Sequence, residues 1–276
     1  MQRSARRVRL LAAGALPLPL CALTLGACST LPNGRGWGED ATVRPGWQTV
    51  GQAALTAVED KSFWLPLAGA AVLQIDGWDR KVSNWARRRT PIFGSQQNAA
   101  DWSDRLRSAS SYAYFATLVA TPSGPDTPTW LLDKTRGAAV GLAALVVTDE
   151  ESTLLKNAAA RERPNGQDDQ SMPSSHASRS AVLTQLGRRN LEWIDVSDTT
   201  RRILDVGLTS LTLGTAWARV EAGFHYPSDT LAGMAIGNFN GAFFNDAFMG
   251  LAQPSRVGCG VEPLRDGAAV WVRISW

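Results

Sequence analysis

From Ala53 onward the apolar positions of this chain recur at three- and four-residue intervals, with Pro, Gly and Asp marking the breaks. The pattern predicts helices over residues 49–76, 101–121, 136–160, 174–190, 200–218 and 229–250. In the fifth, Leu204, Leu208 and Leu211 keep to one face, which Thr215 closes with a weaker apolar contact. Beside that face Gly207, Ser210 and Gly214 are small enough to admit a neighbouring helix at close range. At the end of the chain the period changes: Val270, Val272, Ile274 and Trp276 alternate with Trp271, Arg273 and Ser275, enough for one strand. An outer-membrane barrel would need many such segments, so a tail folding back on the domain is expected. The expected fold is all-α, a bundle of about six core helices with a short extended C-terminal tail. Beyond the first 27 residues no stretch reaches ~18 uninterrupted apolar residues, since Arg136, Asp205, Asn238 and Asn240 break the candidates. The helices therefore read as the core of a water-soluble bundle.

The start of the chain follows a different rule. Arg3, Arg6, Arg7 and Arg9 precede an apolar run from Leu10 to Leu25 that contains Pro17 and Pro19 and ends Leu25-Gly26-Ala27-Cys28. A basic end, an apolar core and small residues before a cleavage point make a secretory signal; an uncleaved anchor helix is the alternative. The last four residues resemble a bacterial lipobox, in which Cys28 is lipidated and becomes the new N-terminus. The adjacent Arg6 and Arg7 hint at twin-arginine export. The expected divisions are a signal peptide at 1–27, a flexible tether at 28–48, a helical domain at 49–250 and a tail at 251–276. The tether is rich in Gly, Pro and Asn, as in Leu31-Pro32-Asn33-Gly34 and Arg44-Pro45-Gly46. As flexible coil, ~18 such residues would span ~25 Å. The expected location is the bacterial envelope, lipid-anchored and facing the periplasm, with the outer membrane favoured.

Composition narrows the classes. With 276 residues, 44% hydrophobic and 19% charged, the chain has apolar content for one well-buried domain, which excludes disordered, collagen-like and disulfide-scaffold chains. A mean hydropathy of -0.13 argues against many membrane spans. The net charge of +3 suggests nucleic acid, but the signal segment holds four of the 28 basic residues and no acid, so the mature chain is near neutral. That leaves no electrostatic footprint for DNA or RNA, and no nucleic-acid partner is expected. Cys21 leaves with the signal, Cys28 would carry lipid and Cys259 stands alone, so neither a disulfide nor a cysteine metal site is expected.

Candidate chemistry centres on the two histidines, His176 and His225. Ahead of the first lies Lys156 and, seven residues on, Arg163-Pro164; a continued helix would place the two cations about 20° apart on one face. Taken alone, this could be a solvated basic helix end. Next come Met172-Pro173-Ser174-Ser175-His176 before the apolar run Ala181 to Leu186, with Ser174 as N-cap candidate. A helix start offers free N–H groups and a positive partial charge to an anion, although an ordinary capped helix with a surface histidine reads the same way. A bound phosphate would raise the pKa of His176 and let it donate a proton. The third segment runs from Arg219 through Gly223-Phe224-His225-Tyr226-Pro227-Ser228-Asp229. An Asp near a His can hold one ring nitrogen and leave the other to attack, and Arg219 offers a fork for two oxygens. An ion-paired loop is the plain alternative.

In combination the three segments, Lys-x6-Arg-Pro, Pro-Ser-Ser-His and Arg-x5-His-x3-Asp, resemble in order and spacing the motifs of the type 2 phosphatidic acid phosphatase and vanadium haloperoxidase superfamily. The resemblance spans residues 156–233 and extends through Leu231-Ala232-Gly233. It implies a helical bundle around a phosphate site, in which Lys156, Arg163 and Arg219 bind phosphate oxygens and Ser174 and the Ser175 backbone add hydrogen bonds. It further implies that His225 attacks phosphorus, Asp229 orients it and His176 protonates the leaving oxygen. Ser175 stands where the family usually has Gly, and Ala218 where Ser commonly precedes the motif's Arg. No cofactor or metal is expected: two histidines and scattered aspartates make no bimetal cluster, and no Gly-rich nucleotide loop is present. The adjacent Asp168 and Asp169 read as solvated, with substrate contact as the alternative. The function expected is a metal-independent phosphatase acting on phosphomonoesters or pyrophosphates, lipid phosphates foremost, through a phosphohistidine. A general periplasmic acid phosphatase, a vanadium haloperoxidase and a non-catalytic lipid-anchored envelope binding protein are the alternatives.

Overall fold

The computed structural model describes residues 30–251 and the backbone of residues 257–264 and 267–274. Cys28 lies outside these residues. Eight α-helices run through the described part: α1 Trp47–Glu59, α2 Lys61–Val72, α3 Trp78–Arg89, α4 Gln96–Ala120, α5 Thr127–Ala159, α6 Ser175–Leu191, α7 Asp198–Glu221 and α8 Pro227–Phe248. At the end β1 Val257–Leu264 and β2 Gly267–Ile274 form an antiparallel hairpin in which Val261 faces Val270. The expected extended tail is thus a paired one.

The count exceeds the expected six for two physical reasons. The stretch 49–76 splits at Asp60, whose side chain accepts from Ser62 N at 2.9 Å and so caps α2 while ending α1. Helix α3 was not expected at all, because its buried positions are Asp79, Ser83 and Ala86. These recur at helical spacing but none is a large apolar residue, so hydrophobic periodicity is silent there.

Helices α6 and α8 form the central pair, with α4, α5 and α7 around α6 and α1, α2 and α5 around α8. The pair approaches closely because α8 presents Gly233, Gly237 and Gly241 to it. A Cβ at Gly237 would stand 2.2 Å from Ser178 O, and one at Gly233 2.5 Å from Ser174 O. Of the small-residue face expected on α7, Gly214 lies against α4, where a Cβ would stand 3.1 Å from Leu106 Cδ1, while Gly207 and Ser210 are exposed and a Cβ at Gly207 would meet nothing.

The interior carries many small and hydroxylated side chains. Ser110 and Ser180 share a 2.7 Å hydrogen bond, as do Thr184 and Thr212 at 2.6 Å and Ser152 and Ser178 at 2.9 Å. Each of these buried hydroxyls has a partner, which removes the penalty of desolvating it. Conversely, many large apolar side chains point outward, among them Trp78, Trp85, Leu142, Leu154 and Val206. No helix among the described residues is long and apolar enough to cross a membrane.

The flexible tether expected over 28–48 is corrected by the structure at residues 31–42, which are packed. Leu31 and Trp37 are each 2% exposed, Trp37 N donates to Pro122 O at 2.7 Å, and Thr42 N donates to Phe248 O at 2.9 Å. Gly36 and Gly38 of this stretch, with Gly137 of α5, are contact residues, whereas a Cβ at Gly34 would meet nothing. A Cβ at Gly38 would stand 2.2 Å from Asp133 O, and one at Gly137 would enter the Trp37 ring. Residues 31–42 are thus a strap docked against α5 and α8.

Candidate active site

The three motif segments converge where the ends of α5, α7 and the starts of α6 and α8 meet. Lys156 lies in the last turn of α5, but Arg163 does not share its helical face. The helix ends with Ala160 in the left-handed region at φ 42°, and the residues ahead of Pro164 continue as loop. Arg163 reaches the site from that loop, held by Asp168 Oδ1 at 2.5 Å from its Nε, while its Nη1 donates to Phe224 O at 3.2 Å. Asp168, expected to be solvated, therefore positions a site arginine. The hydrogen bond from Arg163, with a second from Gln170 N, holds the Asp168 carboxyl below its ordinary pKa.

Ser174 caps α6 as expected, its Oγ accepting from Ala177 N at 3.5 Å, and Ser175 is the first helical residue. On the same turn His176 Nε2 lies 2.9 Å from Asp104 Oδ1 of α4. Burial, together with nearby Arg219, pushes the His176 ring down to about 4 despite that carboxylate, so it is neutral at neutral pH. The hydrogen bond from His176 in turn lowers Asp104.

His225 is 1% exposed, and its Nδ1 lies 2.5 Å from Ser171 O. A carbonyl oxygen can only accept, so Nδ1 carries the hydrogen and Nε2 is left with its lone pair. That Nε2 is 3.4 Å from Arg163 Nη1. Burial and the charges of Arg219, Lys156 and Arg163 hold the His225 ring well below its ordinary pKa, so the lone pair persists into acid. Asp229, expected to orient this ring directly, stands one step behind it. Its Oδ2 accepts from Ser171 Oγ at 2.5 Å and from Tyr226 N at 2.8 Å, and Ser171 then holds the ring through its carbonyl. Burial raises the Asp229 carboxyl, while Ser171, Arg161 and the Tyr226 N–H pull it back.

Behind Asp229 lies a layer of residues that the sequence reading did not single out. Arg161 bridges Asp229 Oδ1 at 2.5 Å and Asp79 Oδ2 at 2.7 Å, and stacks 4.2 Å over the Tyr226 ring. Asp79, on α3, also accepts from Ser228 N at 2.9 Å and Ser228 Oγ at 2.5 Å. Arg161 sits two residues before the motif arginine, so its neighbourhood was visible. Asp79 and Asp104 lie far from the motifs, with no local signal.

The three expected phosphate ligands are cationic groups held in a confined space. Burial and Arg163 push the Lys156 ammonium down to about 8, and its Nζ donates to Gln170 O at 2.7 Å. Arg219 is 9% exposed, packs 4.0 Å over the Phe224 ring and has no hydrogen-bond partner at its Nε. Burial and Arg163 lower it to about 10. Three mutually repelling cations around a neutral imidazole are poised to gain from a dianion that neutralises them. Among the described residues no cluster of three or more His, Cys, Asp or Glu side chains could hold a metal ion.

Comparison with known proteins falls on this region. Residues 135–249 match the PAP2 superfamily, a stretch that holds all three motifs. Among solved structures, this chain is similar to the first transmembrane PAP2-type phosphatidylglycerolphosphate phosphatase from Bacillus subtilis. The identity is 17%, over 69% of this chain and 94% of that one, with a TM-score of 0.49. No curated protein matches.

Proposed function

We propose that this chain, whose residues 135–249 match the PAP2 superfamily, is a metal-independent phosphatase that hydrolyses phosphomonoesters or pyrophosphates, lipid phosphates foremost. The observation that carries the reading is the tautomer of His225: Nδ1 is committed to Ser171 O, and the Nε2 lone pair lies among Lys156, Arg163 and Arg219.

A phosphate drawn in by the three cations would have its oxygens held by them and by the first turn of α6, where Ser174 and the Ser175 N–H stand. His225 Nε2 forms a bond to phosphorus as the bond to the leaving oxygen breaks. His176, which the bound dianion raises from its depressed pKa, gives its proton to that oxygen. In the second step His176 takes a proton from water, whose oxygen attacks phosphorus and breaks the P–N bond. Phosphate leaves and both rings return to their starting states. Asp229 and Ser171 hold the His225 ring throughout, because in phosphoryl transfer positioning and charge stabilisation do most of the catalysis. Lipid attached at Cys28, on the periplasmic side of the envelope, would keep this site at a membrane.

The test is phosphate release by residues 29–276 in EDTA, from p-nitrophenyl phosphate, phosphatidic acid, phosphatidylglycerol phosphate and undecaprenyl pyrophosphate. His225→Ala should lower turnover by at least about 10³-fold with the fold intact. Preference for the small soluble ester would favour the general acid phosphatase. Turnover unchanged in His225→Ala would overturn the nucleophile assignment, and phosphate binding without turnover would favour the binding protein.

A further inference from the structure

We propose that the outward face of α3, with the turns on either side of it and the first turns of α4, docks onto bilayers rich in anionic headgroups and brings the mouth of the candidate site to the lipid surface. Docking of this kind is a property of the folded surface and does not depend on turnover.

Helix α3 turns Asp79, Ser83 and Ala86 inward and leaves Trp78 and Trp85 outward, 55% and 51% exposed. Ile75 before the helix and Ile92 and Trp102 after it are exposed as well. Water-facing indoles at this density are costly unless something covers them. Around them the charge is one-sided: residues 78–107 hold seven basic side chains against three acidic ones. Two of those acids are engaged, Asp79 with Arg161 and Asp104 with His176, while Arg80, Lys81, Arg88, Arg89 and Arg105 are exposed.

Indole and cation are also paired. Lys81 Nζ lies 5.6 Å over the Trp78 ring, and the Arg105 guanidinium 5.4 Å over Trp102. Rings of this kind settle at headgroup depth, and lysine and arginine beside them reach the lipid phosphates. Lysine is depleted at the centre of protein–protein interfaces, so Lys81 over the Trp78 ring favours a bilayer over a protein partner.

The face is fastened to the site. Arg87 donates to Pro164 O, beside Arg163; Asp79 holds Ser228 and Arg161; and buried Glu221 accepts from Ile92 N at 3.0 Å and Phe93 N at 3.1 Å. Glu221 also takes the Trp217 indole N–H at 2.6 Å, and Trp217 contacts Trp85. A bilayer resting on α3 would therefore lie next to the loops that carry Arg163 and His225.

The experiment is co-sedimentation of residues 29–276, which retain every described residue, with vesicles of phosphatidylglycerol and phosphatidylcholine free of any phosphomonoester lipid. Binding should be at least about tenfold tighter than to phosphatidylcholine alone and should weaken as salt rises. Trp78→Ala/Trp85→Ala/Trp102→Ala should lose about tenfold or more in vesicle affinity while p-nitrophenyl phosphate hydrolysis stays within about twofold. Lys81→Glu/Arg88→Glu/Arg89→Glu, which changes exposed charge alone, should abolish the preference for anionic vesicles and guards against misfolding of the tryptophan variant. No binding to anionic vesicles, or parent-like binding by the charge variant, overturns the proposal. So does concentration-dependent dimerisation that the tryptophan variant removes, which would assign the face to a second copy. Vesicle binding by a chain that hydrolyses nothing would leave the docking surface standing and remove the phosphatase reading.

Discussion

At the residue scale the candidate site is a balance of buried charge. Lys156 is the member whose charge is easiest to remove, because burial and Arg163 have already brought it down to about 8, whereas Arg219 stays near 10. The ammonium is present below about pH 8 and lost above it. A free-enzyme group with that pKa should therefore make kcat/KM for p-nitrophenyl phosphate fall as pH rises through about 8. Arginine stays charged across this range, so Lys156→Arg should carry the plateau to higher pH even where its altered geometry lowers the rate. A pH–rate profile of the two proteins decides it, and the same alkaline limb in both would mean that another group sets it. The acid side tells a different story. Burial, helped by the same cations, holds His225 neutral well into acid, so protonation of the nucleophile should not limit activity at mildly acid pH.

At the scale of elements, the close approach of α6 and α8 is what holds the second and third motifs together. Adding one methyl at Gly237 puts a carbon 2.2 Å from Ser178 O, and backbone at that distance cannot move aside cheaply. Gly237→Ala should destabilise the chain by about 1–3 kcal/mol or more, and lower activity with it by parting the two helices. Gly207→Ala, at an exposed helix position, should be neutral or stabilising by up to about 1 kcal/mol. Thermal unfolding of both variants separates a contact glycine from an incidental one. The stripe that stood out in the sequence, on α7, meets a neighbour only at Gly214, because small residues announce that close packing is sterically allowed and not how much of it is used. The motifs were legible because they are dense in charge and fixed in spacing, which is how His225, His176, Lys156, Arg163 and Arg219 became candidates. The layer behind them was not. Asp79 belongs to a helix whose buried face is Asp, Ser and Ala, and the route from Asp229 to His225 passes through the backbone carbonyl of Ser171, which side-chain identity does not reveal.

At the scale of the whole molecule, the strap changes how the fold relates to its N-terminus. Glycine-rich composition reads as freedom, but Gly36, Gly38 and Gly137 are small because the strap and α5 touch there. The strap is also fastened through Lys134, whose ammonium caps the end of α4 at Leu118 O and Thr121 O, 2.5 and 2.6 Å away, under the Trp37 and Trp130 rings. Burial brings that lysine down to about 7, so near that pH the three-donor ammonium begins to give way to an amine that donates fewer and weaker hydrogen bonds. Trp37→Ala should then cost about 3–5 kcal/mol, a fall in Tm on the order of 10 °C, where loss of a side chain from a free tether would cost nothing. An unchanged melting curve would return the segment to a linker. A docked strap also shortens the leash: the three residues from Cys28 to Leu31 reach at most about 10 Å, against the ~25 Å expected of a coil through residue 46. A lipid on Cys28 would thus hold the bundle against the bilayer rather than let it hang beneath, and the Trp37→Ala melt measures whether that short leash exists.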